Sequence, residues 1–226
     1  MFEAYDENGY MFFDPSNPLN PYTFIHEFSH VLGADDYYDT AGETTILNGF
    51  DVMDSMMGDH NPYTKFNYGW ITSSKLIVTN SSVTINLEAF AKDGDTIILA
   101  NNWDEALGAY QEYYIIMYYT MTGLNTGDGG YFDQNAILVY HINATLQIEY
   151  DDQKSPYIVY NNNTSVGPNS TRNNLIEYVI SGDNDYIYTV GETLPTTTDD
   201  SGNELIYTFI VDALTEEYAT ITFTKK

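Results

Sequence analysis

The stretch that most constrains this chain is residues 20–36, Asn-Pro-Tyr-Thr-Phe-Ile-His-Glu-Phe-Ser-His-Val-Leu-Gly-Ala-Asp-Asp. His26 and His30 stand four apart, with Glu27 directly after the first. On a helix that spacing stacks both imidazoles on one face, one turn apart, where they can grip a single ion. The flanks predict such a helix. Asn20 suits the N-cap, Pro21 the first helical position, and Gly33 the left-handed position that ends the helix. At helical periodicity Phe24, Ile25, Phe28, Val31 and Leu32 fall on one side, and Thr23, His26, Glu27 and His30 on the other. The expectation is an apolar back turned to a core and a polar front carrying chemistry.

A third ligand follows from what comes next. A structural zinc site is closed by four protein ligands, whereas a catalytic one has three and leaves a position for water. Gly33 lets the chain turn sharply, so Asp36, three residues beyond, can return to the histidines. Asp35 is an adjacent competitor that spacing alone does not eliminate. Glu27, poorly placed as a ligand beside both histidines, is expected to act as general base on a water activated by the metal. The bland alternative is a helix with two exposed histidines and a stray glutamate.

The extended string His26-Glu27-x-x-His30-x-x-Gly33-x-x-Asp36 resembles that of the metzincin zinc peptidases, in the variant with aspartate as third ligand. The run from His26 to Thr40 most resembles the immune inhibitor A-type secreted metallopeptidases. That resemblance implies a Met-turn at Asp51-Val52-Met53-Asp54, with Met53 beneath the histidines. It also implies the segment Gly58 to Trp70, which ends in Gly-Trp. Met56 and Met57 compete for the Met53 role, and ordinary core packing would explain any of the three. Within the second segment His60 is a candidate oxyanion donor, with Tyr63 a second; a surface-loop histidine is the plain alternative. Tyr37, Tyr38 and Asp39 are expected to anchor the turn after the third ligand. Residues 62–70 are expected to form a short helix with Phe66 and Trp70 inward. The resemblance is specific over residues 21–72 and weaker through 112–142. It further implies export and a sheet upstream of the helix. Only 20 residues precede the helix here, so a missing N-terminal region or a partner is expected to complete the cleft.

Composition narrows the partners. The net charge is −26, with only seven Lys and Arg in 226 residues. Phosphate binding needs a basic surface, so nucleic acid is not expected, and an anionic membrane surface is disfavoured for the same reason. A hydrophobic fraction of 43% is enough for a packed core. There are no cysteines, which excludes disulfides and thiolate metal sites. No apolar run approaches the ~20 residues of a membrane span. The acidic opening Met1-Phe-Glu-Ala-Tyr-Asp-Glu does not read as a signal peptide.

From about residue 73 the pattern changes to short runs rich in β-branched and aromatic residues, separated by turn clusters. The runs are 75–79, 83–87, 96–100, 112–119, 136–141, 187–190, 206–211 and 219–223, and regular short strands of this kind predict an antiparallel sandwich. His141 ends an apolar run and is expected to pack or cap there. Residues 151–174 are expected to be a long surface loop. Asp183, Asp185, Asp199 and Asp200 group oxygen atoms in turns and are candidate Ca2+ ligands, although neither turn fits the regular EF-hand loop and solvated turns are the simpler reading.

The expectation is an α+β chain in two regions: a metzincin-like zinc-site region over 1–72, and an antiparallel β-sandwich over 73–226. The expected function is zinc-dependent hydrolysis of peptide bonds in extracellular proteins. Zn2+ would sit on His26, His30 and Asp36, with Glu27 as base. Two rivals remain: a secreted binding module whose peptidase site is incomplete or vestigial, and an adhesive sandwich with calcium-stiffened loops.

Overall fold

The computed structural model describes residues 21–38, 47, 50–55, 58–75, 82–126, 132–163, 174–182 and 185–226. The first part of the chain carries helices α1 (Pro21–Val31), α2 (Val52–Ser55) and α3 (Pro62–Asn67). Strands β1 (Ser74–Lys75) and β2 (Ser82–Glu88) follow, then α4 (Phe90–Asp93). The rest is strand: β3 (Thr96–Leu99), β4 (Glu112–Tyr119), β5 (Ala136–Asn143), β6 (Gln147–Tyr150), β7 (Pro156–Val159), β8 (Ile176–Tyr178), β9 (Tyr207–Leu214) and β10 (Tyr218–Lys225). The chain is thus mixed α and β with mostly antiparallel sheets. Among the described residues, no helix is long and apolar enough to cross a membrane.

The five-stranded sheet has the order β1-β3-β4-β5-β8, and the three-stranded sheet the order β2-β10-β9. β1 pairs with β3 in parallel; the other ladders are antiparallel. β4 and β5 form the spine, paired along their full lengths from Glu112–Asn143 to Tyr119–Ala136. Both read as nearly continuous apolar runs, and such runs suit strands covered on both faces. One face of the spine presents Tyr114, Ile116, Tyr118, Ile137 and Val139 to Leu87, Phe209, Val211, Ile221 and Phe223 of the smaller sheet. The other presents Tyr113, Ile115, Met117, Leu138, Tyr140 and Ile142 to Ala34, Tyr37, Val52, Met53 and Tyr63. The period-two alternation of side chains makes this division possible. One sheet therefore serves a sandwich on one side and floors the histidine region on the other.

Several expectations change. Met53 and Tyr63 share one apolar cluster with the β4 and β5 residues. Of the apolar back of α1, only Ile25 packs against the core as expected; Phe24, Phe28, Val31 and Leu32 are exposed. The helix docks instead through its His26–Ser29 edge, which is buried, and Phe24 and Phe28 stack on each other at 5.9 Å. Trp70 is exposed rather than inward, stacked on Tyr68, whereas Phe66 is partly buried as expected. β7 lies inside the expected loop 151–174, paired with β6 through Ile148–Ile158. The run 187–190 contributes only a bridge between Tyr188 and Ile137. Met56, Met57, Asp39, Asp183 and Asn20 lie outside the described residues.

Burial decides what a truncation costs. Ile116 is fully buried, whereas Ile148 is 66% exposed. We expect Ile116→Ala to lower unfolding stability by about 2–5 kcal/mol. Ile148→Ala is expected to cost less than about 0.5 kcal/mol. Urea denaturation of the two variants checks this, and equal losses would contradict the two-sided packing of the spine.

Candidate metal centre

The geometry of the centre begins with how α1 ends. Gly33 has φ +98°, a left-handed conformation that residues with a Cβ rarely adopt. The Gly33 N–H donates to the His30 carbonyl at 2.9 Å, and the Ala34 N–H to the Ser29 carbonyl at 3.0 Å. These two bonds form a Schellman motif, which reverses the chain within three residues. Reversal brings Asp36 back over the helix front.

His26 Nε2, His30 Nε2 and Asp36 Oδ1 then form a triangle with all three edges 3.2 Å. Asp35, the sequence competitor, turns its carboxylate to the Tyr160 hydroxyl instead. Tyr38 donates to the Asp36 carboxylate, and burial with that bond pushes the Tyr38 hydroxyl up to about 12. The His26 side chain is 2% exposed, whereas His30 and Asp36 are 20% and 19% exposed, so the triangle is open on one side.

Both rings are locked from behind. His26 Nδ1 lies 2.7 Å from the Val52 carbonyl, and His30 Nδ1 lies 2.7 Å from the Ala34 carbonyl. A carbonyl only accepts, so each Nδ1 must carry a proton. In the neutral ring each Nε2 is then a lone pair aimed at the triangle, the tautomer a metal requires.

The Val52 carbonyl is itself held in place. Asp51 is fully buried just before α2, a position from which sequence reasoning drew no role. Its carboxylate accepts the Met53 N–H at 2.7 Å, the Asn61 N–H at 2.6 Å and the Asn61 amide at 2.9 Å. Burial pushes its carboxyl up to about 7, against the downward pull of those donors. Met53 is fully buried in the cluster beneath α1, and its carbonyl receives the Tyr37 N–H at 3.0 Å. The Tyr37 hydroxyl reaches Thr64 Oγ1 at 2.6 Å, which anchors the turn after Asp36 as expected. The sequence marked Asp51 only as the first residue of the run Asp51-Val52-Met53-Asp54, and its burial and partners come from the fold.

His60 is buried, with Nε2 3.1 Å from Ser29 Oγ and its ring edge-on to Trp70. Burial pushes its pKa down to about 4, so the ring is neutral near pH 7. It braces α1 through Ser29 and is not part of the triangle. Tyr63 is likewise buried in the apolar cluster. Glu27 sits between the histidines in sequence and is half-buried on α1. Of the calcium candidates, Asp199 binds the Asn203 side chain and N–H within its own turn. Asp185 Oδ1 caps the Tyr186 N–H. Asp200 turns away from Asp199 towards Asn143.

The triangle passes a direct test of fit for zinc. Bonds of about 2.0–2.1 Å in a tetrahedron place neighbouring donor atoms about 3.3–3.4 Å apart, close to the observed 3.2 Å edges. Asp36 Oδ1 is buried and makes no hydrogen bond despite its two close nitrogens. The two nitrogens, both 3.2 Å away, hold it by charge. Two neutral imidazoles and a carboxylate are a donor set that suits zinc.

In metal-free protein the same geometry couples stability to pH. Burial pulls His26 down, but the Asp36 carboxylate and the Val52 carbonyl outweigh it and raise the ring overall. Asp36 raises His30 most, against burial. Burial would raise Asp36, but the two histidines outweigh it and hold it well below the usual carboxylate range. A raised histidine stabilises fully below its unfolded value of about 6.5 and loses that contribution as pH rises through the folded value. A depressed carboxylate stabilises above about 3.9 and loses its contribution as pH falls through the folded value. The triad should therefore stabilise the chelator-treated protein most between about pH 4 and 6.5. We expect the gap in urea midpoint between parent and Asp36→Asn to be larger at pH 5.5 than at pH 8.5. A gap that does not change would contradict this coupling.

Neither a scan against protein-family models nor searches of curated proteins and of solved structures found a match for this chain.

Proposed function

We propose that this chain is a zinc-dependent endopeptidase that cleaves extracellular proteins or peptides, using His26, His30 and Asp36 to hold the ion and Glu27 as general base. The observation that carries the reading is the equilateral donor triangle with both Nδ1 atoms capped by carbonyls. A chance cluster of two histidines and an aspartate has no need to lock both tautomers. Further support comes from the three-ligand count, which leaves room for water and substrate, and from buried Met53, at the position the metzincin resemblance gives to the Met-turn.

When bound, zinc supplies Lewis acidity, polarising a scissile carbonyl and making water a competent nucleophile near neutral pH. The protein supplies the rest. Glu27 follows His26 on α1 at the open front of the helix, where its carboxylate can accept a proton from the attacking water. The same carboxyl then delivers that proton to the leaving amine. Tyr38 steadies Asp36 by its hydrogen bond. The buried neutral His60 keeps α1 in register through Ser29.

The exposed apolar back of α1 favours a second reading, a binding module whose peptidase site is incomplete on its own. Elemental analysis and a peptide-library assay on three proteins separate the two. His30→Ala should contain about one zinc fewer per chain than the parent. Glu27→Ala should keep its zinc and lose about 10²–10⁴-fold in turnover. Equal zinc in parent and His30→Ala would overturn the ligand assignment. Full zinc with no cleavage of any library peptide would replace the peptidase with the binding module.

A further inference from the structure

His141 does more than pack at or cap the end of a strand. The ring is buried, stacked on Tyr114 at 4.9 Å, and both of its nitrogens face carboxylates. Nε2 lies 2.9 Å from Glu112 Oε1, and Nδ1 lies 3.1 Å from Glu177 Oε1. These groups come from three adjacent strands, β4, β5 and β8. The loop before β9 adds Asp200, whose N–H donates to Glu112 Oε1 at 2.6 Å. Donor atoms of Glu112, His141 and Asp200 all lie within 4.8 Å of one another.

We propose that Glu112, His141 and Asp200 form a second divalent-metal site, separate from the α1 triangle, with Glu177 orienting the imidazole from behind. Three observations support it. Glu177 on Nδ1 supplies the carboxylate–histidine arrangement that fixes the metal-binding tautomer and makes Nε2 a better donor. Three carboxylates surround one imidazole, so negative charge is in excess even when the ring is protonated. A cleft of about 120 Å3, lined by Glu112, by Tyr114 that stacks on His141, and by Asn101, Asp199 and Asn203, lies beside the group.

The donor set selects the ion. Calcium and magnesium take oxygen ligands, whereas an imidazole with carboxylates suits zinc, cobalt or manganese. Binding replaces the Nε2 proton, which is released to solvent. The consequence is mechanical. Glu112 and His141 lie on the spine of the larger sheet, and Asp200 lies on the loop that feeds β9 of the smaller one. An ion held by all three ties the two layers of the sandwich together at this end.

The test uses the full chain carrying His30→Ala, which removes the α1 site, and titrates it with cobalt(II) and then zinc(II). We expect saturable binding of about one cobalt, a visible absorption band, and a zinc-induced rise in Tm. Adding His141→Gln, or Asp200→Asn on the exposed loop, should weaken cobalt binding at least roughly tenfold and abolish the rise in Tm. Circular dichroism checks folding, and Asp200→Asn decides the matter if His141→Gln does not fold. No saturable binding in folded His30→Ala would overturn the site and leave His141 as a proton-bridged clamp between Glu112 and Glu177. Binding that is unchanged by Asp200→Asn would overturn the ligand set. Either failure leaves the α1 reading intact, because that site is absent throughout this test.

Discussion

Two hydrogen bonds between histidine and backbone carry the site, Nδ1 of His26 with the Val52 carbonyl and Nδ1 of His30 with the Ala34 carbonyl. Remove them and each ring is free to rotate or to change tautomer, and the three donor atoms need not converge. Each carbonyl is placed by a separate device. Ala34 is set by the left-handed turn at Gly33, which also returns Asp36 to the helix. Val52 is set by the buried Asp51 carboxylate, which gathers N–H groups from both ends of the 51–61 segment. A charge buried so fully is costly unless satisfied, and here the donors that satisfy it also define the turn.

The sheet beneath explains how so short a segment stays rigid. Helices α2 and α3 have four and six residues, too short to be stable alone. They rest on Tyr113, Ile115, Leu138 and Tyr140, residues whose neighbours along each strand face the opposite layer. The spine of β4 and β5 is thus stabilised from both sides. Loss of packing in the sandwich would be felt at the histidines.

What was legible in the sequence was periodic or local. The spacing of His26 and His30, the glycine at 33 and the alternatives at 35 and 36 follow from helix geometry and turn chemistry. The limits of β4 were readable because its β-branched and aromatic run is unbroken. What depends on distant partners was hidden. The role of Asp51 rests on Asn61, ten residues on, and that of His141 on Glu177, which is 36 residues on. The apolar stripe on α1 read as core because periodicity reports a face and not what covers it. β7 was obscured by the polar residues around Pro156–Val159, since the pairing with β6 that forms it is exposed to solvent on both strands.

The most direct measurement is zinc K-edge X-ray absorption on the His141→Gln variant loaded with one equivalent of zinc, so that only the α1 centre is read. The geometry requires two imidazole nitrogens and at least one carboxylate oxygen at about 2.0–2.2 Å. Adding His30→Ala to this variant should leave no bound zinc and no imidazole shell to read. In His141→Gln alone, a shell with one imidazole or none would contradict the central claim that the two locked histidines and Asp36 converge on a single ion.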